Sequence, residues 1–242
     1  MRRLEGKVAI ITGGGRGIGR AVTLALAREG ANVVPVARTL SEIEETAREA
    51  EKLGVEAMPI QADVTDEEQV EGMVRRVIER FGRIDILVNN AGTAKHNRVV
   101  DIRTEDWREM IEVNLTGLMF CTRAVMRHME RQGGGYIVNI SSMAGKHGSK
   151  RYAAYSATKF GVIGFTECAA KEGLEKGIFV SVVCPGPVAT KLRASNHPDD
   201  NPEELMLPED VAEAVLFLVT RPDRVYIPEI QLIAAKFGRG RV

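Results

Sequence analysis

The chain has 242 residues, of which 44% are hydrophobic and 27% are charged. These shares are typical of a globular domain and exclude both a disordered chain and a bundle of membrane spans. Lysine plus arginine and aspartate plus glutamate each number 33, so the charge balance gives no sign of a nucleic-acid or anionic-membrane partner. We therefore expect a small-molecule partner.

The cysteines and the N-terminal residues indicate the cellular compartment of the protein. Cys121, Cys168 and Cys184 are odd in number, far apart and without a C-x-x-C pair, so they predict neither a disulfide framework nor a metal site. The opening residues MRRLEGKVAIITGGG lack the apolar core of an export signal, which spans about 7 to 15 residues. We expect a cytoplasmic protein with no bound metal and no membrane segment.

The order of predicted elements favours a parallel sheet. Short β-branched runs alternate with segments of helical periodicity, which is typical of βαβ units. The predicted strands are KVAIIT, NVVPVA, IDILVNN, YIVNIS, FVSVVC and EIQLIA. The pattern therefore indicates an α/β fold.

Helices are predicted between these strands. Two long ones are expected over about 107–132 and 152–176, and Pro208 begins another. The capping boxes that indicate further helix starts are Ser41 with Glu44 and Thr65 with Glu68.

The chain gives no sign of a domain boundary. No proline-rich linker, low-complexity stretch or internal repeat divides it, so residues 1–242 are predicted to form one domain. One long irregular segment is predicted over about 187–207. Loops of this length in compact domains tend to be functional, so we expect substrate contact there.

A glycine-rich stretch, TGGGRGIG, separates the first predicted strand from the first helix. In such a place, helix N-terminal amides and glycine backbone can approach a pyrophosphate. The template G-x-G-x-x-G fails at Ile18, and the P-loop template fails because Arg20 and Ala21 replace its lysine and hydroxyl residue. The loop disfavours an ATPase or GTPase, and taken alone it also fits a tight strand-to-helix turn.

What does fit is the spacing T-G-x-x-x-G-x-G, and in this the sequence resembles the short-chain dehydrogenase/reductase family. The resemblance implies a three-layer, doubly wound, Rossmann-like parallel sheet of about seven strands in the order 3-2-1-4-5-6-7. The loop residues that would contact a dinucleotide are Gly13, Gly15, Arg16, Gly17, Ile18 and Gly19.

The end of the second predicted strand bears on the choice of cofactor. About 20 residues after the loop, a carboxylate holds the ribose hydroxyls of NAD, whereas an arginine accommodates the 2′-phosphate of NADP. Ala37 stands where NAD-using members of the family carry aspartate, and Arg38 follows it. The resemblance therefore implies NADP(H), with Arg16 as a second cation. The alternative is that Arg38 is a solvated residue at a strand end.

Two further parts of the family pattern follow later strands, at the edge where open α/β sheets bind ligands. Asp63, followed by Val64, matches the position that contacts the adenine ring, although a polar residue before a helix is a second interpretation. Asn90, Ala91 and Gly92 belong to an N-N-A-G element, whose small residues would let the cofactor ribose lie close to the backbone.

The segment YSATK contains a candidate acid–base pair. Tyr155 and Lys159 are four residues apart on a predicted helix and share one face, whereas Tyr152 is two turns from the lysine. A phenol normally titrates near 10, and an opposite charge within about 4 to 6 Å lowers such a pKa by about 1 to 3. We therefore expect Lys159 to lower the pKa of Tyr155 toward cellular pH, where a general acid is most useful.

The family's catalytic element places a serine upstream of Y-x-x-x-K, and Ser142 matches it. The neighbouring Ser141 is expected to face the other side of the strand. Asn114, in the long middle helix, matches the family's fourth catalytic position, although a buried polar contact between helices is the alternative.

The resemblance implies hydride transfer between a nicotinamide and a carbonyl or alcohol carbon. Tyr155 would give or take the proton of the substrate oxygen, and Ser142 would hold that oxygen. Lys159 would hold the nicotinamide ribose, and Asn114 would help to relay the proton through water. The residues of PGPVAT that would contact the nicotinamide end are Pro185, Gly186, Val188 and Thr190.

Other classes of function carry different signatures. SATK also satisfies S-x-x-K of penicillin-binding serine enzymes, but the S-D-N and K-T-G motifs that accompany it there are absent. A non-catalytic NADPH-binding sensor would be expected to lack a catalytic residue, and all four candidates are present.

Within the family, the alternative to a carbonyl reductase is a 3-oxoacyl-(acyl-carrier-protein) reductase. Arg123, Arg127 and Arg131 form a basic stripe that could receive an acidic carrier protein, although a solvated helix face or a subunit contact is the simpler interpretation. The VDGG-like ending of the carrier-protein enzymes is absent from YIPEIQLIAAKFGRGRV. This C-terminal segment resembles the branch acting on small hydroxy acids, ketones or alcohols.

The substrate is expected to contact 93–97, 143–151 and 187–207, which include His96 and His147 but name no molecule. The resemblance also suggests a homotetramer, or a dimer, built on the two long helices. Apolar stripes on these helices fit an intrachain core equally well.

Overall fold

The computed structural model describes residues 2–237; the two ends of the predicted domain, Met1 and 238–242, lie outside the described residues. Seven strands form one sheet in which all neighbours are parallel, in the order β3-β2-β1-β4-β5-β6-β7. The strands are β1 (Val8–Thr12), β2 (Asn32–Ala37), β3 (Ile60–Gln61), β4 (Ile86–Asn89), β5 (Gly135–Ile140), β6 (Ile178–Pro185) and β7 (Glu229–Leu232). The predicted fold and strand order are confirmed.

Helices cover both faces of this sheet. They are α1 (Gly17–Arg28), α2 (Leu40–Glu51), α3 (Glu67–Phe81), α4 (Thr104–Ile111), α5 (Gly117–Gln132), α6 (Ala153–Leu174), α7 (Lys191–Asn196) and α8 (Pro208–Val219). Short 3-10 turns lie at Val99–Asp101, Met143–Gly145 and Pro202–Glu204.

Strand β1 shows how the sheet separates two apolar cores. Ala9 and Ile11 point into a cluster formed with α1 and α8. Val8 and Ile10 point the other way, into a cluster formed with α3, α5 and α6. Every residue of β1 is buried, because successive side chains of a strand alternate between two covered faces. The apolar side chains stabilise the sheet on both faces, so polar functional residues are expected in the loops at the ends of the strands.

Two helix starts differ from the prediction. Helix α2 begins at Leu40, so Ser41 lies inside its first turn and caps nothing. Helix α3 begins after Asp66, whose side chain accepts from the backbone N–H of Gln69 at 3.1 Å. Thr65 is already engaged, since its hydroxyl donates to Asp63 at 2.8 Å. The carboxylate one residue further on therefore supplies the cap.

The predicted middle helix is longer and less regular than expected. Helices α4 and α5 join through a π turn at Glu112–Thr116, which contains Asn114. Single π turns inside helices are rare and frequently occur at functional sites. Here the wider turn carries a buried polar side chain in an otherwise apolar stretch.

The segment 187–207 is not wholly irregular, since it contains α7 and a 3-10 turn. Thr190 caps α7 by accepting from the backbone N–H of Arg193 at 3.1 Å. The two ends of the segment lie side by side: Ala189 donates to the carbonyl of Met206 at 2.8 Å, and Met206 donates to that of Pro187 at 3.1 Å. The segment is therefore a loop that leaves the sheet after β6 and returns to the same place, with its two ends hydrogen-bonded to each other.

Candidate functional site

A cleft of about 1180 Å³ lies at the carboxyl ends of the central strands. Open α/β sheets bind ligands at this edge because the strand order reverses there. The predicted residues that line the cleft are Gly13, Gly15, Arg16, Gly17, Ile18, Arg38, Asp63, Val64, Asn90, Ala91, Gly92, Ser142, Tyr155, Lys159, Pro185, Gly186, Val188 and Thr190. Two predicted residues, Gly19 and Asn114, lie behind its wall.

The glycine loop brings the N terminus of α1 to the cleft. Gly13 and Gly17 have φ of 66° and 52°, a region that favours glycine. Gly19 packs beneath the loop, where a Cβ would lie 2.1 Å from the carbonyl oxygen of Gly13. Arg16 precedes α1 and provides no side-chain cap. The first amides of α1 are therefore left facing the cleft, where they suit an anion.

Asn90 fixes this loop from the neighbouring strand. Its side-chain amide donates to the carbonyls of Thr12 at 3.0 Å and Gly13 at 3.3 Å. The backbone N–H groups of Asn90 and Ala91 in turn donate to the Thr12 hydroxyl, at 3.0 and 3.1 Å. The N-N-A-G element thus supports the glycine loop directly.

One end of the cleft carries two arginines, each beside a carboxylate. Arg38 lies 3.7 Å from Asp63, and its side chain is 71% exposed. Arg16 lies 3.5 Å from Glu42, a cleft residue that the sequence analysis missed. Exposed ion pairs of this kind contribute little to stability, so both guanidinium groups remain available to an anionic ligand.

The four candidate catalytic residues converge from three elements. Tyr155 and Lys159 lie on α6, Ser142 follows β5, and Asn114 lies in the π turn between α4 and α5. The Ser142 hydroxyl accepts from the N–H of Ala144 at 3.1 Å and donates to the carbonyl of Pro185 at 3.5 Å. It also lies close enough to the Tyr155 hydroxyl to act on its pKa. Ser141 points away and donates to the carbonyl of Lys159 at 2.9 Å, as the alternation of the strand predicts.

The expected effect of Lys159 on Tyr155 is not found. Burial raises the pKa of Tyr155 to about 12, although the hydrogen bond with Ser142 opposes the rise. Burial also lowers the pKa of Lys159 to about 8. The ammonium donates to the carbonyl of Ile140 at 2.8 Å and lies 5.7 Å from the centroid of the Tyr155 ring. Desolvation therefore outweighs the attraction that sequence spacing suggested.

Asn114 is 1% exposed and braces the wall behind the catalytic group. Its side-chain oxygen accepts from the N–H of Thr93 at 2.7 Å. Its amide donates to the carbonyl of Thr93 at 2.9 Å and to the hydroxyl of Thr158 at 3.1 Å. The side chain ties the loop after β4 to α6.

The other end of the cleft is lined by rings and charges from the segments predicted to contact substrate. Tyr152 packs against Tyr155 with ring centroids 5.6 Å apart, and its hydroxyl is hydrogen-bonded to Nε2 of His197. Arg193 pairs with Asp200 at 2.6 Å. Substrate contact was predicted for 187–207, but Arg193, His197 and Asp200 were not singled out, because loop composition alone gives no signal for them.

The basic stripe on α5 does not present free charges along its length. Arg123 is paired with Glu67, and Arg127 lies 3.3 Å from Glu71, both on α3. Arg131 contacts Nδ1 of His128 on its own helix at 3.1 Å. Two of the three arginines thus have carboxylate partners within the chain.

Comparisons with known proteins agree with this architecture. A family model described as short chain dehydrogenase matches residues 7–201. A 3-oxoacyl-(acyl-carrier-protein) reductase of Synechocystis sp. is 39% identical over 233 residues, which cover 94% of this chain and 94% of the relative. The chain belongs to the short-chain dehydrogenase family, whose members are oxidoreductases.

Two solved structures are also similar to the chain. An alcohol dehydrogenase from the archaeon Thermococcus sibiricus, complexed with 5-hydroxy-NADP, has a TM-score of 0.88 and 33% identity, covering 95% of this chain and 97% of that one. A variant of the actinorhodin polyketide ketoreductase with NADPH has a TM-score of 0.88 and 34% identity, covering 98% of both chains.

Neither a membrane span nor a metal centre is found in the described part of the chain. No helix within residues 2–237 is long and apolar enough to cross a membrane. Within the same residues, no group of three or more His, Cys, Asp or Glu side chains is arranged to hold a metal ion.

Proposed function

We propose that the protein is an NADP(H)-dependent oxidoreductase that interconverts a small carbonyl compound and its alcohol. The observation that carries the proposal is the meeting of Tyr155, Ser142 and Lys159 in one cleft with the glycine loop. A proton donor, a hydroxyl that can hold an oxygen and a buried ammonium then lie beside a place for an anionic cofactor. This arrangement suits reduction of a carbonyl or its reverse.

The residues of the cleft fit a dinucleotide. The uncapped amides of α1 suit a pyrophosphate, and the small residues Ala91 and Gly92, which line the cleft, leave room for a ribose. Val188 and Thr190 line the cleft and would contact the nicotinamide. The Thr190 hydroxyl already caps α7, so its contact with a carboxamide would be made while it holds that helix. When bound, NADPH supplies the hydride that reduces the carbonyl carbon.

Arg38 supports a preference for NADP(H) over NAD(H). Ala37 gives no carboxylate for a ribose hydroxyl, and the exposed guanidinium of Arg38 can meet a 2′-phosphate. Arg16 adds a second cation near the same end. Asp63 would turn from pairing with Arg38 to contacting adenine.

Tyr155 is the proposed proton donor in the direction of reduction. Its raised pKa of about 12 keeps the phenol protonated at neutral pH, so the proton is available as charge develops on the substrate oxygen. Ser142 would hold that oxygen by a hydrogen bond, and Lys159 would hold the nicotinamide ribose. One proton and one hydride together convert the carbonyl to an alcohol, and Asn114 would help to restore the proton to Tyr155 through water.

The second candidate is reduction of a 3-oxoacyl group on a carrier protein. It is favoured by the 39% identity to the Synechocystis enzyme. The pairing of Arg123 and Arg127 with carboxylates of α3 counts against it, because an acidic carrier would have to displace them. A non-catalytic NADPH sensor is the remote alternative, and all four catalytic candidates argue against it.

We further propose a homotetramer in the cytoplasm. Phe160 and Leu174 on α6 are 48% and 44% exposed, and exposed apolar side chains on one helix suit a subunit contact. The free thiols of Cys121, Cys168 and Cys184 suit a reducing compartment. Sedimentation equilibrium of the purified chain tests the assembly, and a monomer would refute it.

A carbonyl panel with NADPH or NADH tests the activity. Nicotinamide absorbance should fall faster with NADPH, and Tyr155→Phe should abolish turnover while NADPH still binds. Tyr226→Phe is the matched control, because the Tyr226 hydroxyl donates to Val180 away from the cleft. Turnover that survives in Tyr155→Phe, or a preference for NADH, would contradict the proposal. A carrier-linked 3-oxoacyl substrate that outperforms every free ketone would favour the second candidate.

A further inference from the structure

Three rings enclose the end of the cleft beyond Tyr155. The His96 ring lies 4.8 Å from that of Tyr152 and 4.8 Å from that of His197, between centroids. Tyr152 and His197 are 5.6 Å apart and are joined by the hydrogen bond from hydroxyl to Nε2. We call these three residues the ring cluster. It places two imidazoles one ring away from the proposed proton donor.

The ring cluster lies in a positive environment. His96 and His197 have pKa values lowered first by burial and then by nearby arginines, which are Arg151 and Arg193 for His96 and Arg193 for His197. Asp200 opposes this at His197, but it is engaged by Arg193 through both Nε and Nη2 at 2.6 Å. Cationic charge therefore exceeds anionic charge at this end of the cleft.

Unpaired ring nitrogens lie at this end of the cleft, and each neutral imidazole offers one N–H donor. Within the described residues, neither ring nitrogen of His96 has a hydrogen-bond partner, and Nδ1 of His197 has none. Lys150 lines the same end of the cleft. A ligand that brings acceptors and negative charge would satisfy these groups.

The backbone beside the ring cluster is strained. Arg151 has φ of 69° and is the only non-glycine residue with positive φ among residues 2–237. Its carbonyl accepts from the N–H of Asn97 at 2.9 Å, which joins it to the loop carrying His96. Left-handed backbone is energetically unfavourable in a residue other than glycine, and such residues cluster at ligand sites. The strained turn sets the arginine beside the imidazole.

We infer that His96, His197 and Arg193 form a carboxylate-binding corner, and that the substrate is a short oxo acid or the corresponding hydroxy acid. This inference rests on the proposed function, because it names the substrate of the same site. A carboxylate is planar, carries two acceptor oxygens and suits a guanidinium beside imidazole donors. A neutral thioester would leave the same donors unpaired. A long acyl chain would collide with the ring cluster.

The test compares acids with their esters. Pyruvate, acetoacetate and levulinate are each assayed with NADPH beside the methyl ester, which keeps the ketone and removes the charge. For at least one pair, the acid should have a kcat/KM about 10-fold or more above the ester, since a charge-assisted hydrogen bond is lost in the ester. Equal kcat/KM values for acid and ester in all three pairs would overturn the inference.

Variants locate the effect. His96→Gln should raise the KM of the preferred acid about 10-fold with little change in kcat, and should leave the ester unaffected. His128→Gln is the matched control, because His128 lies on α5 and does not line the cleft. Arg193→Ala should act in the same direction as His96→Gln, but it also removes a contact of α7. A His96→Gln variant that slows acid and ester equally would refute a role in recognising charge.

The pH dependence gives a second signature. A bound carboxylate favours protonated imidazole, so the preference for acid over ester should grow as pH falls from about 8 to about 6. The charged or titratable groups facing the two histidines are Lys150, Arg151, Tyr152, Arg193 and Asp200. An acid-to-ester ratio of kcat/KM that does not change with pH would count against the corner. So would the absence of acid binding in titration calorimetry.

Binding without turnover separates this inference from the proposed function. Butyrate cannot be reduced, and calorimetry of the NADPH-loaded protein should show saturable binding that His96→Gln weakens about 10-fold. If butyrate binds through His96 but no carbonyl is reduced, the proposed function fails and the corner stands. If esters are reduced but butyrate does not bind, the corner fails and the proposed function stands.

Discussion

The ammonium of Lys159 donates a hydrogen bond of 2.8 Å to the carbonyl oxygen of Ile140. The last residue of β5 thus anchors a lysine that is only 5% exposed. A buried ammonium is costly, and a single carbonyl offsets only part of that cost. The burial of Lys159 therefore lowers the stability of the fold, which agrees with the catalytic role proposed for this residue.

We expect Lys159→Met to stabilise the protein while abolishing turnover. The difference between the ordinary pKa of 10.5 and about 8 in the folded protein corresponds to about 3 kcal/mol at neutral pH. Loss of the bond to Ile140 offsets about 1 kcal/mol of this, so the net gain is about 2 kcal/mol. Unfolding in urea at pH 7 measures it.

The same variant has a defined pH dependence. Between about pH 8 and 10.5 the unfolded chain keeps the lysine proton that the folded protein has lost, so wild-type stability rises with pH in this range. The advantage of Lys159→Met should therefore shrink from pH 8 upward. An advantage that persists unchanged at pH 10 would show that burial of charge is not its cause.

Arg38→Ala should weaken use of NADPH selectively. The variant removes the guanidinium and leaves Asp63, which Arg38 now faces at 3.7 Å, to repel a 2′-phosphate. We expect the KM for NADPH to rise about 10-fold or more, with the KM for NADH unchanged. Arg48→Ala, at an exposed arginine of α2, should change neither constant. Equal losses with both cofactors would argue against contact with the phosphate.

Asn114→Ala should cost both stability and activity. The variant leaves the N–H and carbonyl of half-buried Thr93 without their partners, which destabilises by about 2 kcal/mol. Asn97→Ala, in the loop after β4, should change stability by less than about 0.5 kcal/mol. Urea unfolding of the two variants makes the comparison. A fully stable Asn114→Ala variant would mean that water replaces the amide.

Gly19→Ala should disrupt the glycine loop. Its Cβ would lie 2.1 Å from the Gly13 carbonyl oxygen, so the loop must shift and NADPH affinity should fall about 10-fold or more. Gly72→Ala is a useful contrast, because the nearest atom is the end of the Arg75 side chain at 3.9 Å. That change should stabilise α3 by about 0.5 to 1 kcal/mol. Cofactor fluorescence titration and urea unfolding test both, and normal affinity in Gly19→Ala would contradict the packing.

The features that sequence predicted well are local or periodic. The alternation of strand and helix, the glycine loop and the opposite facing of Ser141 and Ser142 all depend on neighbours in the chain. Strand β3 has only two residues, Ile60–Gln61, which is too short for periodicity to reveal. The predicted start of α3 was wrong because Thr65 and Asp66 are both capping residues. Only the hydrogen bond from Thr65 to Asp63 decides between them.

The features that sequence could not provide depend on distant parts of the chain. The pKa of Tyr155 was expected to fall because spacing gives the nearness of Lys159 but not the burial of both groups. Tyr152 meets His197 across 45 positions, and no pattern in either segment predicts the pairing. The pKa values and the hydrogen bonds of the site depend on how distant segments pack together, and sequence patterns do not give that packing.

The closed base of the 187–207 segment has a practical consequence. Because the backbones of Pro187 and Ala189 are hydrogen-bonded to that of Met206, the chain leaves the sheet and returns at almost the same point. The intervening residues, with α7, can therefore be exchanged as a cassette without changing the distance that the flanking strand and helix must span. Grafted segments of other lengths would give a set of enzymes that share one hydride-transfer machinery and differ in the compounds they accept.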